Sequence, residues 1–391
     1  MSKAANMKCD IIIPIWNQFS YTRDCLGHIL KNTKYPYRMI LVDNASDDET
    51  KDYLCNFAAE HKDKTLLIRN EENLGYIKAI NQGLKASSAE YVCMMNNDTL
   101  PSPGWLERMV DFAVTHPDVG LINPQCQGHS GDTVDSHAEM LARNKGEYME
   151  MNQCQGFCML VKRELIDKVG FLDEAFGVGG YDDTDYSIRA HKAGYRCVSI
   201  RDAYVFHRIH ASFDKAGNRE EVVDRNRKIY YEKWGKHLRI GVMISLSHPD
   251  TAKITGLAEY IYGLAREWAW VHVWINSTED AKVIDKLLNG AMKDRDLSPH
   301  QNIRVDYFNL PRLLFDLIIS GKIVERIRRR MKDKRFDAII SFDDAAYFMT
   351  GCAARLMKAS YAKHPLCQEQ CDGISEGRKS AIVIKEGRDG K

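Results

Sequence analysis

Short apolar runs alternate with helix-spaced apolar positions through the first 115 residues. Residues 9–15 read Cys-Asp-Ile-Ile-Ile-Pro-Ile, a β-branched run of the kind buried on both faces of a sheet. It stops at Trp16-Asn17-Gln18, and Tyr21, Cys25, His28 and Ile29 then carry helical spacing over 20–32. Residues 39–42 predict a second strand ending at Asp43-Asn44-Ala45-Ser46-Asp47-Asp48, where Ser46 or Asp47 is placed to cap a helix over 49–61. A third strand at 66–68 precedes Asn73-Leu74-Gly75 and a helix through Ile77, Ile80 and Leu84. A fourth at 91–95 ends in Asn96-Asn97-Asp98-Thr99; Pro101 and Pro103 stop it, and a helix spans 105–115. This alternation predicts a parallel, doubly wound α/β sheet. Ligands of such sheets bind beyond the carboxyl ends of the strands, so the three polar clusters are expected along one sheet edge.

The pattern then weakens. Residues 121–122 read as a strand, 128–147 as polar and irregular, 157–161 as a strand and 163–169 as a short helix. A glycine-rich, acidic loop over 176–185 leads into a helix through Ile188, Ala190 and Ala193. Strands at 195–200 and 203–207 and a charged helix at 219–234 complete a first domain, 1–236. A second α/β unit is expected over 239–362. It has strands at 239–245, 271–275 and 336–341, a loop holding Gly256 before a helix at 257–268, and a helix at 319–331. That last helix ends in Arg328, Arg329 and Arg330, with Lys332 and Lys334 following. The tail, 363–391, is polar and aperiodic and is expected to be disordered.

Composition narrows the function classes. The chain of 391 residues is 44% hydrophobic and 28% charged, enough for ordinary globular cores in two domains. A formal net charge of +1 gives no basic excess of the kind nucleic-acid binding calls for. The eleven cysteines lack paired metal-ligand spacing, and Cys154-Gln-Gly-Phe-Cys158 is too loose for one. No stretch approaches the ~18 continuous apolar residues of a membrane span. The expectation is a cytoplasmic protein with reduced thiols, peripheral at most to the inner face of a membrane.

Two acidic clusters and one histidine stand out. Asp98 follows a buried strand, where an acidic residue can meet a metal and its phosphates, although a turn or helix cap explains it as well. Asp182, Asp183 and Asp185 fall within four residues, so at least one needs a cation, a metal or a raised pKa. Arg189 is spaced to pair with Asp185 along a helix. A solvated first helical turn is the plainer account of that acidic run. His207 follows a β-rich stretch, and a lone histidine is more often structural than a ligand.

The order of the segments Ile11–Asn17, Ile40–Asp47, Asn73–Gly75 with Asn81–Gly83, Met95–Thr99, Gly170–Glu174, Asp182–Arg189 and His207–Ser212 resembles family 2 glycosyltransferases of the GT-A fold, in particular their rhamnosyltransferase-like branch. The resemblance implies an inverting transfer of a sugar from a UDP- or dTDP-linked donor to a hydroxyl of a glycan or lipid-linked acceptor, in polysaccharide or cell-surface glycan assembly. It also implies a divalent metal, Mg²⁺ or Mn²⁺. On this resemblance Pro14, Trp16 and Asn17 border the nucleobase. Asp43 holds the base edge or the ribose, and Asn44, Asn73, Gly75, Asn96 and Asn97 line the donor site. Asp98 is the last acid of the metal-binding DxD motif, His207 completes the metal site, and Asp183 is the general base. Asp182 stands where the family often has glutamate, and Asp185 and Arg189 brace the loop. The first DxD position is Asn96, an uncharged acceptor. The second unit resembles the N-terminal half of a GT-B glycosyltransferase, a Rossmann-like fold, on its first strand, the loop with Gly256 and Asp343-Asp344. Two other readings are a degenerate nucleotide- or glycan-binding protein and a sugar nucleotidyltransferase. The latter would need a glycine- and lysine-rich phosphate loop after the first strand, which Trp16-Asn17-Gln18 is not.

Overall fold

The computed structural model describes residues 8–126, 133–208, 219–246, 251–294, 298–328, 335–342, 348–356 and 359–363. The chain divides into two compact units, Met1–Lys236 with Ser298–Asn302, and His237–Leu297 with Ile303–Lys391.

The first unit opens with β1 (Cys9–Ile15), α1 (Phe19–Asn32), β2 (Tyr37–Asn44), α2 (Asp48–Glu60), β3 (Thr65–Asn70), α3 (Tyr76–Ala86), β4 (Tyr91–Met95), β5 (Thr99–Pro101) and α4 (Trp105–Thr115). It continues with β6 (Val119–Gln125), α5 (Val134–Leu141), β7 (Tyr148–Met151), β8 (Cys158–Lys162), α6 (Arg163–Val169), α7 (Asp182–Lys192), β9 (Arg196–His207) and α8 (Arg219–Trp234). Its nine-stranded sheet runs β3-β2-β1-β4-β8-β6-β9-β5, with β7 on β9. Ile11, Ile13 and Ile15 of β1 share a core with Cys25, Leu26 and Ile29 of α1 and Trp105 and Met109 of α4. Ile12 faces the other way, onto Gly83 of α3. Helices on both faces explain why β1 carries no polar alternation.

The sheet is mixed rather than mostly parallel. β3, β2, β1 and β4 are parallel neighbours, and so are β6 and β9. β8 lies antiparallel between β4 and β6, and β5 and β7 run antiparallel to β9. A doubly buried strand has the same apolar pattern in either direction, so the sequence carried no sign of the reversal. The stretch expected to be irregular contains α5, capped by the Thr133 side chain, which buries only His137 and Ala138 and so shows little periodicity. The two strands expected at 195–200 and 203–207 are one, because the Arg201 amide N–H donates to the Glu147 carbonyl (2.8 Å) and pairing continues through the polar Arg201-Asp202.

The second unit contains β10 (Arg239–Leu246), α9 (Thr251–Arg266), β11 (Trp270–Ser277), α10 (Ala281–Asp294), β12 (Ile303–Phe308), α11 (Arg312–Arg328), β13 (Ala338–Ser341), α12 (Phe348–Leu356) and β14 (Ser360–Lys363). Its five strands, ordered β12-β11-β10-β13-β14, are all parallel. Gly256 lies inside α9 rather than in a loop. The buried stripe of Ile254, Leu257, Ala258, Ile261 and Tyr262 outweighs the ~1 kcal/mol that a helical glycine costs. Ile209, His210, Ala211, Ser212, Arg329, Arg330, Lys332, Lys334, Asp343, Asp344 and the tail from 364 lie outside the described residues. Among the described residues no helix is long and apolar enough to cross a membrane.

Gly83 sets the approach of α3 to β1. A Cβ there would stand 2.3 Å from Ile12 Cγ2, inside the fully buried core. Overpacking of this kind costs about 1–3 kcal/mol and exceeds the ~1 kcal/mol gain in helix propensity. Gly83→Ala should therefore lower the urea midpoint of unfolding; an unchanged or higher midpoint would contradict this packing.

Candidate active site

Parallel pairing brings the ends of β1, β2 and β4 to one margin of the sheet. Beyond β1, Asn17 and Gln18 take left-handed backbone angles, with φ of 56° and 64°. The Asn17 amide N–H donates to Ser46 Oγ (2.9 Å), and the Asp47 N–H donates to Asn17 Oδ1 (2.7 Å), knitting the turn after β1 to the turn after β2. Trp16, 43% exposed, borders a groove of about 410 Å³ together with Asn17, Gln18, Phe19, Asp47 and Glu49. Pro14 is half-buried on β1, opposite Val42. Asp43 is buried at the end of β2. It accepts from the Ser46 N–H (2.9 Å) and pairs with the Arg69 guanidinium.

Asn44, Asn73 and Gly75 hold one another. Asn44 Nδ2 donates to Asn73 Oδ1 (2.7 Å) and to the Gly75 carbonyl (3.3 Å), and Asn73 Oδ1 also accepts from the Gly75 N–H (2.9 Å). Their side chains fix a loop, and Gly75 needs its φ of +84° to enter α3. Asn97 likewise turns inward, donating to Thr22 Oγ1 on α1 (3.0 Å).

After β4, Asp98 points at a histidine. Asp98 Oδ1 lies 3.2 Å from His207 Nε2, and Asn96 Nδ2 lies 3.5 Å from the same nitrogen. The approach is within ion-pair reach, yet the buried Oδ1 has no aligned hydrogen-bond partner among the described residues. Pairing of β5 with β9 sets Thr99 opposite His207 and fixes the imidazole at this spot. Phe157 stacks on that ring, with centroids 5.3 Å apart and planes at 17°. An orphaned carboxylate oxygen, an imidazole nitrogen and an amide converging here suit a divalent cation such as Mn²⁺ or Mg²⁺. Among the described residues no three His, Cys, Asp or Glu side chains are placed to hold a metal together, so such an ion would need further oxygens from a substrate.

The acidic run begins a helix instead of occupying a loop: Asp182, Asp183 and Asp185 form the first turn of α7. The preceding turn uses positive φ at Gly177, Gly179, Gly180 and Tyr181. Asn226 of α8 holds that turn, with its amide nitrogen 2.8, 2.9 and 3.0 Å from the carbonyls of Phe176, Gly179 and Gly180. The three carboxylates have different fates. Asp185 is fully buried and meets Arg189 Nε (2.9 Å), Lys233 Nζ (2.7 Å) and Trp234 Nε1 (2.8 Å). Arg189 also donates to the carbonyls of Val169 and Phe171 (both 2.8 Å). Asp182 accepts from the Gly180 N–H (2.7 Å), and burial, with the neighbouring Asp183 charge, pushes its pKa up to about 7. Asp183 receives N–H donors from Gly156 (3.2 Å) and Thr184 (2.7 Å), the Thr184 hydroxyl (3.2 Å) and Gln153 Nε2 (3.5 Å). Burial raises its pKa as well.

One short stretch joins these parts. The Gly156 N–H meets Asp183, while its carbonyl accepts from the Tyr76 hydroxyl (3.1 Å). The next residue, Phe157, accepts from the Asn96 N–H (2.9 Å) and stacks on His207. Asp183 and the Asp98–His207 pair therefore flank Gly156-Phe157, and the charges of Asp182, Asp183 and Asp98 all act on the Tyr76 hydroxyl. Sequence reasoning missed Tyr76, Gln153, Gly156, Phe157 and Asn226. The signal available was Gly156-Phe157 itself, weighed only for the spacing of its flanking cysteines, which are free and buried.

Residues 10–170 match the family model described as glycosyl transferase family 2. The match includes Asp98 and Gly156 and stops before Asp183 and His207. Glycosyltransferase AglE of Haloferax volcanii is 26% identical over 205 residues, which is 50% of this chain and 66% of that protein. The N-acetylglucosaminyl-diphospho-decaprenol L-rhamnosyltransferase of Mycobacterium tuberculosis is 26% identical over 212 residues, 45% of this chain and 67% of that enzyme. The share of the relatives' own lengths that is matched runs from 27% to 96%. Among solved structures, a mannosyltransferase of Pyrobaculum calidifontis in complex with GDP-Man and Mn²⁺ matches 75% of this chain and 88% of its own at 18% identity, with a TM-score of 0.43. The chain carries a glycosyltransferase family 2 domain over residues 10–170.

Proposed function

We propose that the first unit is a GT-A-type, inverting glycosyltransferase with Asp183 as the general base. The observation that carries this is a half-buried carboxylate met only by neutral donors, next to a second carboxylate and a histidine across Gly156-Phe157. Burial without a counter-charge raises the basicity of Asp183, which suits a group that must accept a proton near neutral pH. A protein that only bound nucleotide or glycan would gain nothing from that arrangement.

In the transfer, Asp183 takes the acceptor hydroxyl proton as that oxygen attacks the anomeric carbon. The bond from the anomeric carbon to the diphosphate breaks on the opposite face, and the nucleoside diphosphate leaves. A divalent ion held by Asp98 and His207, beside Asn96, would neutralise the charge gathering on that leaving group. The groove at Trp16 and Asn17, with Pro14 and Asp43 behind it, takes the base and ribose of a UDP- or dTDP-linked donor. Asp185 and Arg189 keep α7 in place, and Asn44, Asn73, Gly75 and Asn97 shape the donor wall through the bonds among themselves and to α1. The acceptor is a glycan or lipid-linked saccharide, and the second unit serves acceptor binding or assembly.

Four outcomes follow. Asp183→Asn should retain nucleotide affinity and lose transfer by ~10²–10⁴ in kcat; sugar transfer at the parental rate would remove Asp183 from the role of base. The base must be ionised, so the rate should fall as pH drops, with its acid limb above the ordinary carboxylate range because burial raises the pair. Asp182→Asn removes a like charge and should move that limb to lower pH; an unmoved limb would uncouple the two groups. Asp98→Ala should weaken UDP binding in the presence of Mn²⁺ and leave binding in EDTA unchanged, as read by calorimetry. Equal affinity of both proteins in Mn²⁺ would separate Asp98 from the metal.

A further inference from the structure

Gly156 has no side chain to restrict its own backbone, so its angles are set by its neighbours. Two side chains supply that restriction. Asn123, on β6, is buried and uses both ends of its amide on this stretch. Its Oδ1 accepts from the Gln155 N–H (2.6 Å), and its Nδ2 donates to the carbonyls of Gln155 (2.9 Å) and Cys158 (2.6 Å). Tyr76, the first residue of α3, donates its hydroxyl to the Gly156 carbonyl (3.1 Å). A Cβ on Gly156 would stand 3.5 Å from that hydroxyl and 3.8 Å from Asp183 Cβ, so the glycine lies between the two.

These bonds fall on consecutive peptide groups. The Gln155–Gly156 peptide is trans, so its carbonyl and its N–H point in opposite directions. Asn123 holds the carbonyl end, and Asp183 Oδ2 accepts from the N–H end (3.2 Å). The bond at the carbonyl polarises the same peptide and strengthens its N–H as a donor. The next peptide, Gly156–Phe157, is held at its carbonyl by Tyr76. The stretch is also tied to α7, because Ser187 Oγ accepts from the Cys154 N–H (3.1 Å) and donates to the Asp183 carbonyl (2.7 Å). A buried amide that only satisfies loop carbonyls is ordinary, and Asn226 does this for the turn before α7. Asn123 differs in that the peptide it holds directs its N–H at a carboxylate.

We propose that Asn123 and Tyr76 are positioning residues for Asp183, clamping the peptides on either side of Gly156 so that the Gly156 N–H is aimed at the carboxylate. The catalytic consequence rests on Asp183 being the base; the state of the carboxylate can be read without turnover. A carboxylate that accepts an N–H bond holds its proton more weakly. Loosening the clamp weakens that bond and raises the proton affinity of Asp183 further, opposite in sign to removing the Asp182 charge. The other titratable groups interacting with Asp183 are Tyr76 on α3, Cys154 and Tyr230 on α8, and burial keeps all three neutral.

The test is a carboxyl-carbon NMR titration of the full chain carrying isotope-labelled aspartate, with the Asp183 signal assigned from Asp183→Asn. The Asp183 titration should move to higher pH by about one unit in Asn123→Ala, and in the same direction by less in Tyr76→Phe. In parallel, kcat for release of UDP from UDP-glucose with Mn²⁺ should fall about tenfold or more in Asn123→Ala, with KM within about twofold. Tyr76→Phe removes a single hydroxyl and decides the matter if Asn123→Ala does not fold. An Asp183 titration unmoved in Tyr76→Phe and in folded Asn123→Ala overturns the clamp even where Asp183→Asn is inactive. A moved titration supports the clamp; parental UDP release by Asp183→Asn would then count against Asp183 as the base and not against its positioning.

Discussion

Burying a carboxylate away from water is costly unless donors or cations replace the lost hydration. The first unit meets that requirement in two ways within a single helical turn. Asp185 receives Arg189, Lys233 and Trp234 and becomes part of the scaffold. Asp183 receives only backbone and neutral side-chain donors, which lower its proton affinity by less than burial raises it. The same divide separates Asp43, paired with Arg69, from Asp98, whose Oδ1 is orphaned. Asp183 and the Asp98–His207 pair are the ones that flank Gly156-Phe157. Which partners the fold provides thus separates these acids, since the residue type is the same throughout.

Those partners come from far along the chain. The glycine-rich turn before α7 has no side chains to hold it and depends on α8, whose Asn226 amide reaches three of its carbonyls. Lys233 and Trp234, about two helical turns further on, anchor the other end of the same acidic cluster. α8 itself is strongly polar, and its contribution to the site is the spacing of Asn226, Lys233 and Trp234 along one helix.

The sequence disclosed the parts of the fold that periodicity encodes. β1, β4, α4 and α6 fall where apolar runs and helical spacing placed them, and of the two cap candidates, Ser46 and Asp47, it is Asp47 that caps α2. Strand direction was invisible because β8 looks alike forwards and backwards. α5 and β7 were missed because α5 buries only two residues and its neighbours are polar. Asp98, His207 and Asp183 were legible as residues through the order of their motifs. Their mutual geometry was not, since it passes through the backbone of Gly156, which has no side chain to signal a role. Asn44, Asn73 and Asn97 carried the look of ligand contacts and turn out to bond within the protein.

β9 pairs along its twelve residues with β5, β6 and β7, so the imidazole at its end cannot drift without disturbing three neighbours. The segment from 133 to 151 contributes α5 and the short β7 between longer strands, and connections of that kind tolerate insertion and substitution far better than a shared strand does. A lineage built on this plan inherits a fixed anvil and an exchangeable jig. Descendants can diverge in what they fasten together long before the fastening step itself has to change.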